Sequence, residues 1–441
     1  MQYTNKNILK ITLPVLVSML MEQLLSITDT AFLGRVSQVE LGASAIAGVM
    51  YMTVFTASFG FAMGAEIMIG RRNGEKNYSA VGNIFYQGLY FQLIITAFAV
   101  LFTSLCMADI FKRILVSQDI CKAATSYLDW RMYGFVFAAI SMMYRTFLMG
   151  TVQTRSLIGN SLVLFVANCL FNYILIFGKL GFPQLGITGA AIGSSLAEVV
   201  GLIYFIISTK RHINIAKYAL NKLHRPDVKL LWQMLKISFW TMSQSVFAIA
   251  TWFLFYLFIE HLGQTPIAVT NVLRSANSLI FIIYCSFASV TSTLVSNLMG
   301  ENKQEEIIPL IRKSVKLSYI CVLPFAAVYL LFPSFIMGIF TDIDEVILQG
   351  KDVVWVLCVI TVIAAAANVW YDAVAGTGNT RAVFFMETTS LVVYTLFIYI
   401  VIWVKHSPLT VCWFADAVYY FVILVLSLLY FRFSAWRKRK I

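Results

Sequence analysis

Charge is scarce in this chain. Asp, Glu, Lys and Arg make up 12% of its 441 residues, where a soluble domain carries about a quarter. An ordinary cytosolic enzyme is thereby excluded. Histidine is rarer still, and His212, His224, His261 and His406 form no HExxH pair. The seven cysteines are odd in number, scattered and without a CxxC, so neither a disulfide framework nor a zinc site is indicated. No GxxxxGK[ST] occurs, and no polar stretch is long enough to form a nucleotide-binding domain. Nothing in the sequence thus points to ATP as a direct driver, and an ion gradient is the default.

Apolar residues fill the space, at 60% of the chain. This rules out disorder and marks an integral membrane protein. A spanning helix takes about 20 residues plus a short loop, so the length allows about twelve spans and little else. Apolar runs and breakers put them near 8–33, 42–68, 82–107, 126–149, 157–178, 187–209, 232–259, 267–297, 310–334, 352–375, 382–404 and 409–431. The runs are continuous rather than alternating, which excludes a β-barrel. The first carries Glu22 and Asp29 and is too long for a cleaved signal peptide. The expected fold class is an all-α membrane protein of twelve transmembrane helices.

The net charge of +12 is distributed by topology and not as a nucleic-acid surface. With the N-terminus and every second loop on one side, that side holds 23 of the 33 basic residues, seven of them between Lys210 and Lys236. The opposite loops hold eight, with Arg131 counted among them, and Arg145 and Arg274 fall inside spans. This bias puts both termini in the cytoplasm of a multi-pass inner-membrane protein. The basic tail Arg437–Lys440 is then an orientation signal near anionic lipid.

The chain also repeats itself at a constant offset of 226. Leu9–Thr12 matches Leu235–Ser238, Asn73–Glu75 matches Met299–Glu301, and Gly150–Arg155 matches Gly376–Arg381. An offset of six spans gives repeats of like topology, hence two six-helix lobes related by a pseudo-twofold axis along the membrane normal. The lobes are read as 1–220 and 221–441, joined through the basic segment 210–230. Alternating access by rocking one lobe against the other follows from such a repeat.

Ionisable groups inside a membrane are functional candidates by default. Here they are Glu22, Asp29, Glu66 and Glu198 in the first half, and Asp372, Glu387 and Asp416 in the second. By the offset, Asp29 maps to Phe255, Asn168 to Tyr394 and Asn172 to Ile398, so this polar set exists in one lobe only. Asn168 and Asn172 are four apart and share a helix face. Asp29, Asn172 and Thr188 all fall in the outer half of the membrane, so Asp29, Asn168, Asn172 and Thr188 are expected to converge. Their oxygens suit a hard cation, or a carboxyl that gains and loses a proton. The two Asn are alternatively interhelical hydrogen-bonding groups and nothing more. Phe255 is expected to tolerate conservative apolar replacement. Pro14 interrupts the first span and is either a fixed kink or a hinge. Glu66 is placed at the cytoplasmic interface, and Asp372 is expected to pair with Arg381 or Arg145. Glu198, Glu387 and Asp416 have no partner visible in the sequence. Glu22, Asp372 and Glu198 are kept as candidate cleft acids.

With these landmarks in order, the chain resembles the multidrug and toxic compound extrusion (MATE) family over its whole length. The resemblance rests on Leu13-Pro14, Asp29-Thr30-Ala31 with Leu33-Gly34, Asn168 and Asn172 with Ile176-Phe177-Gly178, Gly186–Ala191, and the turn Gly376–Thr380. It implies a twelve-helix exporter of organic cations and other amphiphiles driven by Na⁺ or H⁺. Asp29 then matches the family's first-span carboxylate, Asn168 and Thr188 match further members of that site, and Pro14 matches the bending proline. Many members have Asp where this chain has Asn172, and the acids of the NorM-type branch in spans 7 and 10 are reduced to Asp372. Gln244–Trp252 in span 7 has none. This is similar to the DinF-like branch, and one carboxylate fewer weakens the case for Na⁺ at Asp29, Asn168 and Asn172 more than the case for H⁺.

The expected function is a cation-coupled antiporter exporting cationic or amphipathic compounds from the cytoplasm. It is not an enzyme, has no cofactor beyond the coupling ion, binds small substrates and membrane lipid but no nucleic acid, and works as a monomer. The rival reading is a lipid-linked oligosaccharide or lipid flippase of the same broad superfamily, which would favour a cleft rich in Arg and Lys.

Overall fold

The computed structural model describes residues 3–439, with the side chains of 249–253 in one helix left aside. The described residues form long helices joined by short turns. We number them α1 (Asn5–Gly34), α2 (Gln38–Gly74), α3 (Tyr78–Ile114), α4 (Gln118–Gly150), α5 (Arg155–Phe177) and α6 (Gly186–His212). The second set is α7 (Val228–Glu260), α8 (Gln264–Gly300), α9 (Gln304–Leu331), α10 (Asp344–Gly376), α11 (Thr380–Val404) and α12 (Leu409–Phe433). Among the described residues, eleven of these are long and apolar enough to cross a membrane. The remaining one, α7, contains the apolar run 232–259. The chain is an all-α, multi-pass membrane protein, and ten of the twelve expected spans lie inside their helices. The span 157–178 runs one residue past α5, which Gly178 ends in the left-handed region, and 310–334 runs three past α9, where Phe332 leaves the helix before Pro333. Of the tail Arg437–Lys440, Lys440 lies outside the described residues, as do the side chains of 249–252 within Gln244–Trp252.

Polar caps punctuate the apolar runs. Ser37, Asn77, Ser117 and Asn379 each accept a backbone N–H three residues on, satisfying donors that a helix start leaves open. Gly178 ends α5 at φ 65°, in the left-handed region that glycine enters without steric cost.

The repeat is visible in the backbone. Adding 226 to the bounds of α2 gives those of α8, and adding it to α4 gives α10. The turns repeat as well. Lys76 and Asn302 are left-handed at φ 60° and 58°, as are Val152 and Gly378 at φ 60° and 86°. Asn77 N–H donates to the Arg72 carbonyl at 2.9 Å, as Lys303 N–H does to Leu298 at 3.0 Å.

The chain divides into two compact units. One is Leu13–Met242, and the other comprises the residues up to Thr12 with those from Ser243 onward. The division thus differs from 220 in two places. Residues 221–242 join the first unit because Asp227 N–H donates to Gln87 Oε1 at 2.9 Å, and Ser238 Oγ and Thr241 Oγ1 donate to the Phe61 and Gly60 carbonyls at 3.1 and 2.6 Å. The N-terminal residues join the second unit, where Lys313 Nζ donates to the Tyr3 carbonyl at 3.2 Å.

The joining segment is docked on the first unit. Tyr86 and Tyr90 donate to the Leu220 and His224 carbonyls at 2.7 and 2.6 Å, and Gln87 to that of Arg225 at 2.9 Å. Tyr218 is buried beneath Gln153 and Asn73. Burial pushes its phenol up from the ordinary range, against the pull of Lys217.

Candidate functional site

The site begins with the pairing of α1 and α5. Ser18 and Ser161 share a 2.7 Å hydrogen bond, and Asn172 Nδ2 donates to Asp29 Oδ1 at 2.7 Å. Both pairs are separated by 143 residues. The two helices therefore run parallel in constant register over eleven residues, about 16 Å of axis. Helical spacing does the rest. Asn172 Nδ2 also reaches Asn168 Oδ1 at 3.2 Å, and Asn168 Nδ2 donates to Ser194 Oγ on α6 at 3.0 Å. Asn168 and Asn172 are fully buried.

Small residues bring α6 close enough to complete the set. A Cβ on Gly193 would meet Asn172 Oδ1 and lie 3.0 Å from the Asn172 nitrogen, and one on Gly189 would meet the Leu175 carbonyl. Such contacts let the backbones approach. Gly193→Ala is expected to push Asn172 off Asp29. Overpacking of this kind costs about 1–3 kcal/mol, so purified protein should melt several degrees lower. An unchanged melting temperature would show that the α5–α6 contact yields without cost.

Asp29 also interacts electrostatically with Arg131, thirteen residues into α4. The charge count places it with the outer loops, and the structure places it within the helix. Its Nη2 is 3.8 Å from Glu198 Oε1, with side chains only 11% and 16% exposed. Its guanidinium stacks on the Tyr51 ring at 4.6 Å and interacts electrostatically with Asp29 and Tyr127. The sequence offered one signal for it. Position 131 already falls inside the expected span 126–149, so a basic residue there belongs to the helix and not to a loop.

Of the four residues expected to converge, Asp29, Asn168 and Asn172 are joined directly. Thr188 instead shares a hydrogen bond with Ser126 at 2.8 Å. Pro14 lies inside α1, which continues through it as helix. Glu22 pairs with Arg145 at 2.5 Å. Asp372, at the end of α10, acts electrostatically on Cys285. Glu198 has Arg131, and Asp416 has Arg274 at 3.3 Å. Glu387 accepts from Tyr371 and Tyr419 at 2.8 and 2.5 Å. All three partnerships are long-range and invisible to local pattern. Among the described residues no group of three or more His, Cys, Asp or Glu could hold a metal ion.

A family model described as MatE matches residues 14–174 and 242–400. The chain belongs to the MatE family. This MatE protein is 25% identical over 382 residues to a probable multidrug resistance protein NorM of Thermotoga maritima, covering 85% of this chain and 80% of that one. It is 23% identical over 304 residues to the multidrug resistance protein NorM of Vibrio cholerae, covering 67% and 65%. Among solved structures, a MATE protein in its straight conformation superposes with a TM-score of 0.88 at 17% identity, over 99% of this chain and 97% of that one. A MOP superfamily transporter from Pyrococcus furiosus gives 0.87 at 17% identity, over 99% and 97%. The MatE fold is thus common to chains with few identical residues. The Asp29 set has to be argued from its own geometry.

Proposed function

We propose that this MatE protein is a cation-coupled antiporter that exports cationic or amphipathic organic compounds across the cytoplasmic membrane by alternating access. The observation that carries the reading is the bond from Asn172 to Asp29, a carboxylate inside a helix bundle and tied to a buried amide relay. A carboxylate within a membrane is costly unless it is neutralised. It therefore couples the binding of an ion to the packing of α1 against α5. Pro14 gives α1 a point at which to respond, since proline removes one backbone hydrogen bond from the helix. The multidrug resistance names of the NorM relatives support the substrate class.

The flippase reading needs basic groups open to a pyrophosphate. Arg131, Arg145 and Arg274 each have a carboxylate partner, which favours export of cations. Transport in inside-out vesicles, with pH and Na⁺ gradients imposed separately, tests the proposal. Accumulation of an organic cation such as ethidium under neither gradient would overturn coupling.

Both termini and the joining segment are assigned to the cytoplasm on the 23-to-8 division of basic residues. Lys222 is exposed, and Lys222→Cys should react with an impermeant maleimide only after the cytoplasmic side is opened. Labelling of intact cells would reverse the topology.

A further inference from the structure

We infer that Arg131 is the resident cation of the Asp29 site, occupying electrostatically the place that a metal cation would take and restricting the exchanged ion to the proton. This deepens the reading of Asp29 as the coupling carboxylate and rests on it.

Three observations carry the inference. First, Arg131 is not committed to one acid. Its approach to Glu198, at 3.8 Å, is longer than a hydrogen bond. It interacts with Asp29 as well, and its Nη1 is buried with no hydrogen-bond partner. A guanidinium cannot lose its charge, so it is a permanent positive neighbour to both carboxylates.

Second, the amides present nitrogen to Asp29 where a metal would need oxygen. Asn172 donates to Asp29 and Asn168, and Asn168 donates to Ser194. Turning the Asn172 amide over would set its oxygen against Asn168 Oδ1 and the carboxylate together. Its own oxygen faces Gly193, without a partner. A Na⁺ ion seeks several oxygens and would have to break this relay to collect them.

Third, the charge balances with one proton. The groups facing Arg131 are Asp29 on α1, Tyr51 on α2, Tyr127 on α4 and Glu198 on α6. Asp29 also acts on Cys169 of α5, and Glu22 on Glu198, with Arg145 compensating Glu22. With Asp29 and Glu198 ionised, the cluster around Arg131 has one negative charge in excess. Protonating Asp29 neutralises it. The proton moves from water to an Asp29 oxygen and returns to water on the other side, and no other bond is made or broken. A metal ion would neutralise the cluster as well, but only beside the guanidinium, where like charges repel.

The test uses the whole protein in proteoliposomes, with ethidium as the transported cation. The native protein is expected to respond to a pH gradient and to change less than about twofold when Na⁺ replaces choline. Arg131→Met leaves Asp29 and Glu198 without their cation. It should acquire a Na⁺ response of roughly tenfold in transport and a melting temperature that rises with Na⁺ but not with choline. Arg131→Lys retains the charge and should stay insensitive to Na⁺. Native protein driven by a Na⁺ gradient at equal pH would overturn the inference, and this arm needs no variant. So would a folded Arg131→Met that ignores Na⁺ in both measurements. Full transport by Asp29→Asn would instead remove the underlying reading, which separates the two failures.

Discussion

Asp29→Asn is expected to lower ethidium efflux by about a hundredfold or more, or roughly 2.7 kcal/mol of lost coupling, while the protein inserts and folds as before. Asparagine matches the carboxylate in shape and still meets Asn172, so the packing of α1 on α5 survives. What is lost is the carboxylate proposed to carry the coupling ion. Efflux from cells expressing the variant at native levels measures the effect. Drug resistance at the native level would mean that Asp29 is a hydrogen-bonding residue only.

The second large effect is expected in the other unit, in stability. Arg274 lies over the Phe255 and Trp413 rings at 4.7 and 5.4 Å and pairs with Asp416 at 3.3 Å, with side chains 12% and 15% exposed. Removing one partner of such a pair leaves an uncompensated charge, at about 3–5 kcal/mol. Arg274→Met should therefore lower the melting temperature of the purified protein by roughly 5–10 °C. Arg274→Met with Asp416→Leu should recover most of the loss, because an apolar pair of similar volume is tolerated. If the double variant melts as low as the single one, the stabilisation comes from the aromatic stack and not from the ion pair. The same stack revises the expectation for Phe255. It is fully buried between Arg274, Trp413 and Tyr394, so even an aliphatic replacement forfeits a cation–π contact worth about 0.5–2 kcal/mol.

The helices were legible because a membrane span is a local property, written in one unbroken apolar run. The repeat was legible because turn chemistry is local too, as the left-handed residues at 76, 302, 152 and 378 bear out. Asp29, Asn168 and Asn172 could be grouped because α1 and α5 run in the same direction and helical spacing put both amides on one face. Thr188 shared their depth but not their azimuth around α6, and depth alone does not select a partner. Arg131 was lost to a count of charges by loop, which sets aside how far into a helix a residue sits. At thirteen residues into α4 it is roughly 20 Å along the axis. The pairings of Glu198, Asp416 and Glu387 join residues 32 or more apart, Tyr371 excepted, and no periodicity reports such contacts.

The exchange of the opening turns of α1 and α7 sets an order on biosynthesis. Residues up to Thr12 are made first, yet they belong with residues from Ser243 onward. At about 5–20 residues per second, the ribosome takes roughly 10–50 s to supply their neighbours. Throughout that interval the opening turns of α1 are without the neighbours they pack with in the finished fold. The unit Leu13–Met242 also stays unfinished until the start of α7 has emerged. A gene cut at 220 would therefore yield two fragments, each carrying a piece that belongs to the other. Function should return only when both are made in the same cell.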